Sequence, residues 1–248
     1  MTIKKAIYVV VISAILTSCS ESKMLLKTLK KYQVPIEYLH DSKIENCNED
    51  IKIAFGSVIN EVFDSVMSVS KINHKVLPFL VYNYEEMNLG VKFGQSAIEQ
   101  NYSDFFKKSF ADETQRSGCF DLIAYNQASN FVMDISFDTC SVTSKYQRNS
   151  TVIFLFLAYT MYFQEIGFPA QTTLGLNVKL TKDNNVVFEK HYSINKTQSF
   201  LNNSSNNSAK LRQDFVVNMA EALSNSTKEC IEQIITDINQ IIAESKRE

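Results

Sequence analysis

The sequence is poor in the residues that interrupt regular secondary structure. Its 248 residues include only six glycines, three prolines and no tryptophan, whereas glycine and proline usually make up about 7% and about 5% of a chain. No three glycines have the Gly-x-Gly-x-x-Gly or Gly-x-x-x-x-Gly-Lys spacing of a phosphate-binding loop. The composition therefore excludes phosphate-loop NTPases and standard Rossmann enzymes.

Histidine is scarce as well, which weakens the case for catalysis or for a metal site. His40, His74 and His191 are isolated and form no His-x-x-x-His or His-Glu-x-x-His pattern. Gly94-Gln95-Ser96 begins like a nucleophile elbow but lacks the second glycine, so Ser96 is better explained as a helix cap. We predict no enzyme activity, no cofactor and no metal. A hydrolase whose catalytic residues are dispersed along the sequence is the least favoured hypothesis.

The overall composition indicates one globular domain without a nucleic-acid partner. Hydrophobic residues make up 45% of the chain and charged residues 21%, which is typical of a folded domain. The formal net charge of −2 becomes −4 when residues 1–18 are removed, because they hold two lysines and no acid. Neither value suggests attraction to a polyanion.

The first nineteen residues have the three-part layout of a secretory signal. Lys4 and Lys5 are followed by an apolar run from Ala6 to Leu16 and then by Leu16-Thr17-Ser18-Cys19. The apolar run has 11 residues, about half of the ~20 that a membrane-spanning helix needs. The sequence therefore predicts an export signal rather than a permanent transmembrane helix.

The ending Leu16-Thr17-Ser18-Cys19 resembles the lipobox of bacterial lipoproteins, in which cleavage occurs directly before a lipid-carrying cysteine. The resemblance implies a signal peptide at 1–18, acyl chains such as palmitate on Cys19 and a mature chain of 230 residues. Because Ser20 rather than aspartate follows, it also implies the outer membrane, with the domain facing the periplasm. The alternative is an ordinary cleaved signal with an incidental cysteine.

Four cysteines remain once Cys19 is assigned to the lipid: Cys47, Cys119, Cys140 and Cys230. In an oxidising envelope compartment they can form two disulfides with three connectivities, or one disulfide, or they can remain free thiols. The sequence does not choose among these. A zinc site is less favoured because no pair has Cys-x-x-Cys spacing and no histidine is near.

Residues 19–50 are predicted to form a lipidated tether with a short helix, and residues 51–248 a single domain. At the start of that domain, the spacing of Val58, Val62 and Val66 favours a helix, although β-branched valine also permits a strand. Val76 to Tyr82 is apolar on both faces and predicts a buried strand. Pro78 within it belongs at an edge or a bulge, because proline cannot donate to a ladder.

Helices are predicted in the middle and at the C-terminal end of the domain. Ser96-Ala97-Ile98-Glu99 has the form of a capping box, and an aromatic stripe follows at helical spacing: Tyr102, Phe105, Phe106 and Phe110. Near the C-terminus, two amphipathic helices are predicted on either side of a second capping box at 226–229. A flexible Asn/Ser loop is predicted at 201–208.

Strands are predicted at 119–125 and 131–137 and as a hairpin at 172–194 that turns at 182–185. Asp134 and Asp138 would share one strand face about 13 Å apart, too far to share a proton or a metal, so a solvated face is predicted. Together these patterns predict an α+β fold, with an antiparallel sheet and amphipathic helices packed on one face.

Val152 to Phe163 is an apolar run in which only Thr160 is clearly polar. As a helix it would be about 18 Å long, too short for a hydrocarbon core of about 30 Å. Two interpretations remain. The run is either a fully buried element of the core or an exposed segment that contacts a membrane interface or a groove in an envelope protein partner.

Beyond the lipobox, the layout is similar to that of small α+β envelope lipoproteins, such as the auxiliary lipoproteins of ABC-type transport systems and the lipopolysaccharide-assembly lipoprotein. No residue other than Cys19 carries over. The resemblance implies a lipid-anchored protein with a non-enzymatic accessory or structural role that binds another envelope component. The alternative hypothesis is a periplasmic binding module for a lipid or another apolar ligand.

Overall fold

Alternating apolar residues build one long central strand, β5 (Phe131–Leu155), on which the rest of the sheet assembles. The computed structural model describes residues 23, 25–39, 51–78, 82–125, 127–155, 158–201 and 207–244. The other strands are β1 (Lys52–Ile59), β2 (Ser68–Pro78), β3 (Tyr82–Lys92), β4 (Asp121–Ala124), β6 (Ala158–Gly167), β7 (Ala170–Lys182) and β8 (Asn185–Gln198). The helices are α1 (Tyr102–Ser117) and α2 (Ser208–Glu244).

The neighbours of β5 change halfway along its length. Its first half lies between β1 and β7, and its second half lies between β3 and β6. β2 extends the sheet beyond β3, β4 extends it beyond β1, and β8 extends it beyond β7. The described strands thus form a single eight-stranded sheet with two dissimilar halves.

The predicted α+β class is confirmed in its broad form, but the sheet is mixed rather than antiparallel. β1 runs parallel to both β4 and β5, and the other pairs are antiparallel. Alternation along a strand reveals which side chains share a face, but it does not reveal which distant strand lies alongside. The direction of β1 was therefore beyond the reach of the sequence pattern.

The aromatic stripe of α1 lies in the core, as predicted. Phe106 contacts Phe137 of β5 edge-on, with ring centroids 5.1 Å apart, and Phe110 stacks on Phe55 of β1. The predicted start of this helix is wrong. Asn101 caps it by accepting hydrogen bonds from the amides of Ser103 and Asp104, whereas Ser96 lies in a 3-10 turn.

The two C-terminal helices predicted from the sequence are one continuous helix of 37 residues, α2. The hydroxyls of Ser226 and Thr227 do not cap a new helix; they donate back to the carbonyls of Ala222 and Leu223 within α2. A serine inside a helix can bond in this way to the preceding turn, so the capping-box pattern was misleading here. Asn207 instead caps the start of α2.

The region from residue 52 to residue 82 departs from two further predictions. Residues 52–59 form a strand rather than the start of a helix, and residues 60–67 form no regular element. The predicted strand at Val76 to Tyr82 is divided: β2 ends at Pro78 and β3 begins at Tyr82. Pro78 does lie on a strand that pairs on one side only, as its missing N–H requires.

The hairpin formed by β7 and β8 is confirmed, and its turn has the expected residues. Asp183 and Asn184 both have positive φ, 49° and 64°, the left-handed conformation that asparagine and aspartate tolerate best among non-glycine residues. On the core side, Leu174, Leu176 and Val178 are fully buried. This hairpin forms one side of the domain, against which α2 packs.

The described part of residues 19–50 packs on the domain. A short helix at 25–29 and the extended stretch that follows place Leu25, Leu29, Val34 and Ile36 in the same core cluster as α1 and α2. Cys19, His40, Cys47 and most of the Asn/Ser loop lie outside the described residues. Within the described ranges, no helix has the length and apolarity that crossing a bilayer requires.

Candidate interaction site

Four strands extend from the domain as an arm: β2, β3, the second half of β5 and β6. In this arm, residues directly opposite one another across an antiparallel pair share a face. The rows therefore follow from the register. One row is His74–Met87–Arg148–Glu165. Two residues further along the strands, the row Val76–Glu85–Ser150–Phe163 lies on the same face. The row after that, Leu77–Tyr84–Thr151–Tyr162, lies on the opposite face.

A buried polar cluster forms the base of the arm, where α2 begins. Glu165 is only 2% exposed and accepts hydrogen bonds from the Tyr146 hydroxyl at 2.6 Å and from Nε of Arg212 at 2.9 Å. A second bond joins Nη2 of Arg212 to the other carboxylate oxygen. The pairing is bidentate, so the start of α2 is fixed to β6.

The electrostatics of this base cluster favour the neutral tyrosine and the charged arginine. Burial, followed by the hydrogen bond and charge of Glu165, raises the pKa of Tyr146 above its ordinary value. Burial alone would lower the pKa of Arg212, but the hydrogen bond and charge of Glu165 raise it overall. The cluster is thus a structural ion pair that closes the base of the arm.

The two sequence segments that form the end of the arm carry no charge. Residues 76–84 and 149–164, which include the described ends of all four strands, contain no Asp, Glu, Lys or Arg. The register aligns these two segments, since Asn83 pairs with Val152 and Val152 pairs with Met161. Two charge-free runs that are far apart in the sequence therefore lie side by side at one end of the sheet.

The end of the arm is exposed rather than buried. Met161, Tyr162 and Phe163 are 46%, 59% and 52% exposed, and Leu77 is 50% exposed. The interpretation of Val152 to Phe163 as a fully buried core element is therefore wrong for its described side chains. The run forms the β5–β6 hairpin, in which Val152 and Ile153 are half-buried.

The short N-terminal helix lies at the base of the arm. Leu25 and Thr28 line a cavity of about 10 Å³ together with Met87, Tyr146 and Arg212. This contact places the beginning of the described chain next to the polar cluster of Glu165. The predicted lipid attachment residue, Cys19, precedes Leu25 by six positions.

The polar residues singled out in the sequence do not form a second site. Asp138 pairs with His191 at 2.7 Å on the exposed face of the sheet, and Asp134 accepts from the amide and hydroxyl of Ser57. Each aspartate thus has its own partner, and the predicted solvated face is the better description. Ser96 accepts from the amide of Met67.

The cysteines differ from one another. Cys119 is disulfide-bonded, whereas Cys140 and Cys230 are free and buried. Burial raises the pKa of each of these two thiols to about 12. Both are therefore protonated and unreactive. Among the described residues, no three His, Cys, Asp or Glu side chains are grouped closely enough to hold a metal ion.

The site missed by sequence reasoning is the pairing of the two charge-free segments. Each was visible as a run without charge, but only the run at Val152 to Phe163 was read as an interaction candidate. The signal that could have joined them is their common pattern. Each run lacks charge over the end of one strand, the start of the next strand and the few residues between them. The fold and this site define an α+β domain with a projecting β-sheet arm.

No family model and no curated protein matches the chain. Solved structures with a likeness include a DUF330-family protein from Xanthomonas campestris, 14% identical with a TM-score of 0.44, covering 88% of this chain and 98% of its own. Another is a Helicobacter pylori protein described as a neuraminyllactose-binding haemagglutinin homologue, 12% identical with a TM-score of 0.36, covering 86% and 99%. These TM-scores are too low to define a shared fold, and no property of either protein is carried over.

Proposed function

We propose that this chain is a lipid-anchored lipoprotein of the bacterial envelope, held by a lipid on Cys19 at the outer membrane and facing the periplasm. Its role is accessory or structural rather than enzymatic, and it binds another envelope component through the end of its arm. The observation that carries the proposal is the exposed, charge-free arm end. Contiguous exposed apolar surface of this kind marks interaction sites.

The position of the predicted anchor supports the use of the arm at a membrane. Leu25 follows Cys19 by six positions, a stretch that spans at most about 20 Å. From the row of Arg148 to Leu155 the arm extends by seven residues, or about 23 Å. The two lengths are similar, so a lipid on Cys19 and the arm end can reach the same membrane surface.

The titratable groups with shifted pKa values support a role without catalysis. Tyr146 and Tyr192 have raised pKa values, chiefly because of burial, and the thiols of Cys140 and Cys230 are raised in the same way. Catalytic nucleophiles and bases usually have pKa values shifted towards the working pH. These four groups are shifted away from it, towards inert neutral forms.

The alternative of an apolar ligand-binding module receives less support. An open groove of about 600 Å³ lies on the sheet beside β2 and the β6–β7 connection, and Ser70, Lys92, Thr143 and Lys145 are among its lining residues. The lining also includes Ile72, Val91, Phe168 and Pro169, but an open groove leaves much of a lipid tail in water, whereas ligand pockets usually bury most of the ligand's surface. The arm end is the stronger candidate for contact with apolar material.

The anchor is tested by labelling the full chain in its host with an alkyne analogue of palmitate. We expect wild type to be labelled and to fractionate with membranes, and Cys19→Ala to be unlabelled. The variant Ser22→Ala, outside the lipobox, serves as the matched control and should retain the label. An unlabelled wild-type chain would contradict the lipid anchor.

The arm is tested by recovering tagged full-length chain from detergent-solubilised envelopes. We expect a component, either a protein or co-purified phospholipid, that is retained by wild type to be lost from Met161→Asp/Tyr162→Asp. It should be kept by Val186→Asp/Val187→Asp, whose targets are similarly exposed but lie on β8. Equal recovery by all three proteins would show that binding does not use the arm.

A further inference from the structure

We infer that the envelope component bound by the arm is the surface of a phospholipid bilayer, into which the arm end inserts at the level of Tyr84 and Tyr162. This inference rests on the proposed function and deepens it, because it names the partner of the same site. It concerns the arm hairpins themselves, independently of whether Cys19 carries a lipid.

The distribution of apolar side chains over both faces of the arm favours a bilayer over a protein groove. Met161 lies on the face that also bears the polar cluster of Glu165, whereas Leu77 and Tyr162 lie on the opposite face. All three are about half exposed. A single protein surface covers one face of a sheet, but a lipid interface surrounds whatever enters it.

A cross-strand row of tyrosines marks the level at which the arm would meet the membrane surface. Tyr84 pairs with Thr151, and Thr151 pairs with Tyr162, so the two phenol rings share one face two strands apart. Tyrosine is enriched where hydrocarbon meets water, because its ring is apolar and its hydroxyl is polar. Val152 and Ile153 lie on the membrane side of this row.

Charged residues limit the depth of insertion. Glu85 and Glu86 follow Tyr84 on β3 and accept hydrogen bonds from Ser150 and Asn88, respectively. Because charged side chains are costly in hydrocarbon, these carboxylates remain in the aqueous layer. Beyond the tyrosine row, β5 continues for four residues to Leu155, about 13 Å, which is less than one leaflet of a ~30 Å hydrocarbon core.

The strand edges point in the same direction. Within the described sheet, β6 pairs only with β5 and β2 pairs only with β3. Unpaired backbone groups are costly in hydrocarbon, so the arm should enter the interface and not span the bilayer. Pro78 at the end of β2 reduces this cost, because it has no N–H to leave unpaired.

The first test uses the chain from Ser20 to Glu248, which keeps every described residue and lacks the lipid, with vesicles of phosphatidylethanolamine and phosphatidylglycerol. We expect wild type to sediment with the vesicles. Met161→Asp/Tyr162→Asp should bind at least about tenfold more weakly, because interfacial binding scales with buried apolar area. The control Val186→Asp/Val187→Asp should bind like wild type, and circular dichroism should show all three proteins folded.

The second test uses the absence of tryptophan from the chain. In Tyr162→Trp the new indole is the only tryptophan, and vesicles should shift its emission to shorter wavelength and allow quenching by brominated lipid. In Val187→Trp, on β8, neither change should occur. The same response from both reporters, or from neither, would overturn insertion of the arm.

These outcomes separate the inference from the proposed function. Vesicle binding by the arm without palmitate labelling at Cys19 would uphold the inference and reject the lipid anchor. Labelling at Cys19 without vesicle binding would uphold the anchor and reject the inference. If the unacylated chain is a stable oligomer that Met161→Asp/Tyr162→Asp dissociates, the arm is covered by a second copy and the bilayer is rejected as its partner.

Discussion

Replacement of Arg212 by methionine should strongly destabilise the domain. The substitution leaves the Glu165 carboxylate, which is 2% exposed, without its bidentate partner. Removing one member of a buried ion pair typically costs about 3–5 kcal/mol. We expect the lower end, about 3 kcal/mol, because the Tyr146 hydroxyl still donates to the carboxylate and Nε of Arg148 lies 4.0 Å from its other oxygen.

The measurement is urea unfolding at pH 7 followed by far-ultraviolet circular dichroism, which suits a chain without tryptophan. The double variant Glu165→Met/Arg212→Met should recover at least about half of the loss, because it removes both charges together. The exposed pair Lys196–Glu229, 2.9 Å apart, provides the control. Lys196→Met should cost less than about 1 kcal/mol.

Two results would refute this reasoning about the base of the arm. One is a loss below about 1 kcal/mol for Arg212→Met, the size expected of a surface pair. The other is a double variant whose loss equals the sum of the two single losses, since independent sites are additive and coupled ones are not. Either would mean that Glu165 finds solvent or another partner when Arg212 is removed.

Three further predictions concern buried thiols, close contacts and a helix cap. At pH 8 a thiol reagent should label Cys140 and Cys230 far more slowly in the native protein than in urea. Folding raises the pKa values of both thiols from 9.0 to about 12. The stability that the protonated thiols contribute is therefore present below pH 9 and is lost as the pH rises towards 12. Equal labelling rates would show that the thiols are accessible. Gly94→Ala should lower the melting temperature more than Gly90→Ala. The Cβ atom added at position 94 would lie 2.6 Å from the carbonyl carbon of Val66, whereas the Cβ atom added at position 90 would lie 3.1 Å from the hydroxyl of Ser70. A larger loss for Gly90→Ala would contradict these contacts. Asn101→Ala should cost about 1 kcal/mol in urea unfolding and Asn101→Gly only a few tenths; no loss in Asn101→Ala would argue against Asn101 as the cap of α1.

Local patterns in the sequence predicted the elements that local physics determines. The aromatic stripe of α1 and the Asp183–Asn184 turn were both found as predicted, because helical periodicity and the left-handed tolerance of these residues are properties of neighbouring positions. The boundaries were less accurate. Ser96 and Ser226 both begin capping-box patterns, yet one lies in a 3-10 turn and the other inside α2.

The arrangement of distant segments could not be predicted in this way. The parallel pairing of β1 with β5 and the alignment of β3 with the β5–β6 hairpin join residues between 51 and 78 positions apart. Nothing in the periodicity of either segment encodes its neighbour. The candidate site depends on this alignment, so the sequence revealed one of its two apolar runs as a candidate but not the surface they form together.

The continuity of β5 gives the arm a mechanical property. Because this strand of 25 residues belongs to both the core and the arm, the two are joined by one continuous strand and not by a flexible connection. A force applied at the arm end would be carried along the strand, in shear across its hydrogen bonds to β1 and β7, into the packed interior. The arm should therefore act as a stiff strut that holds the domain at a set distance from whatever its end contacts.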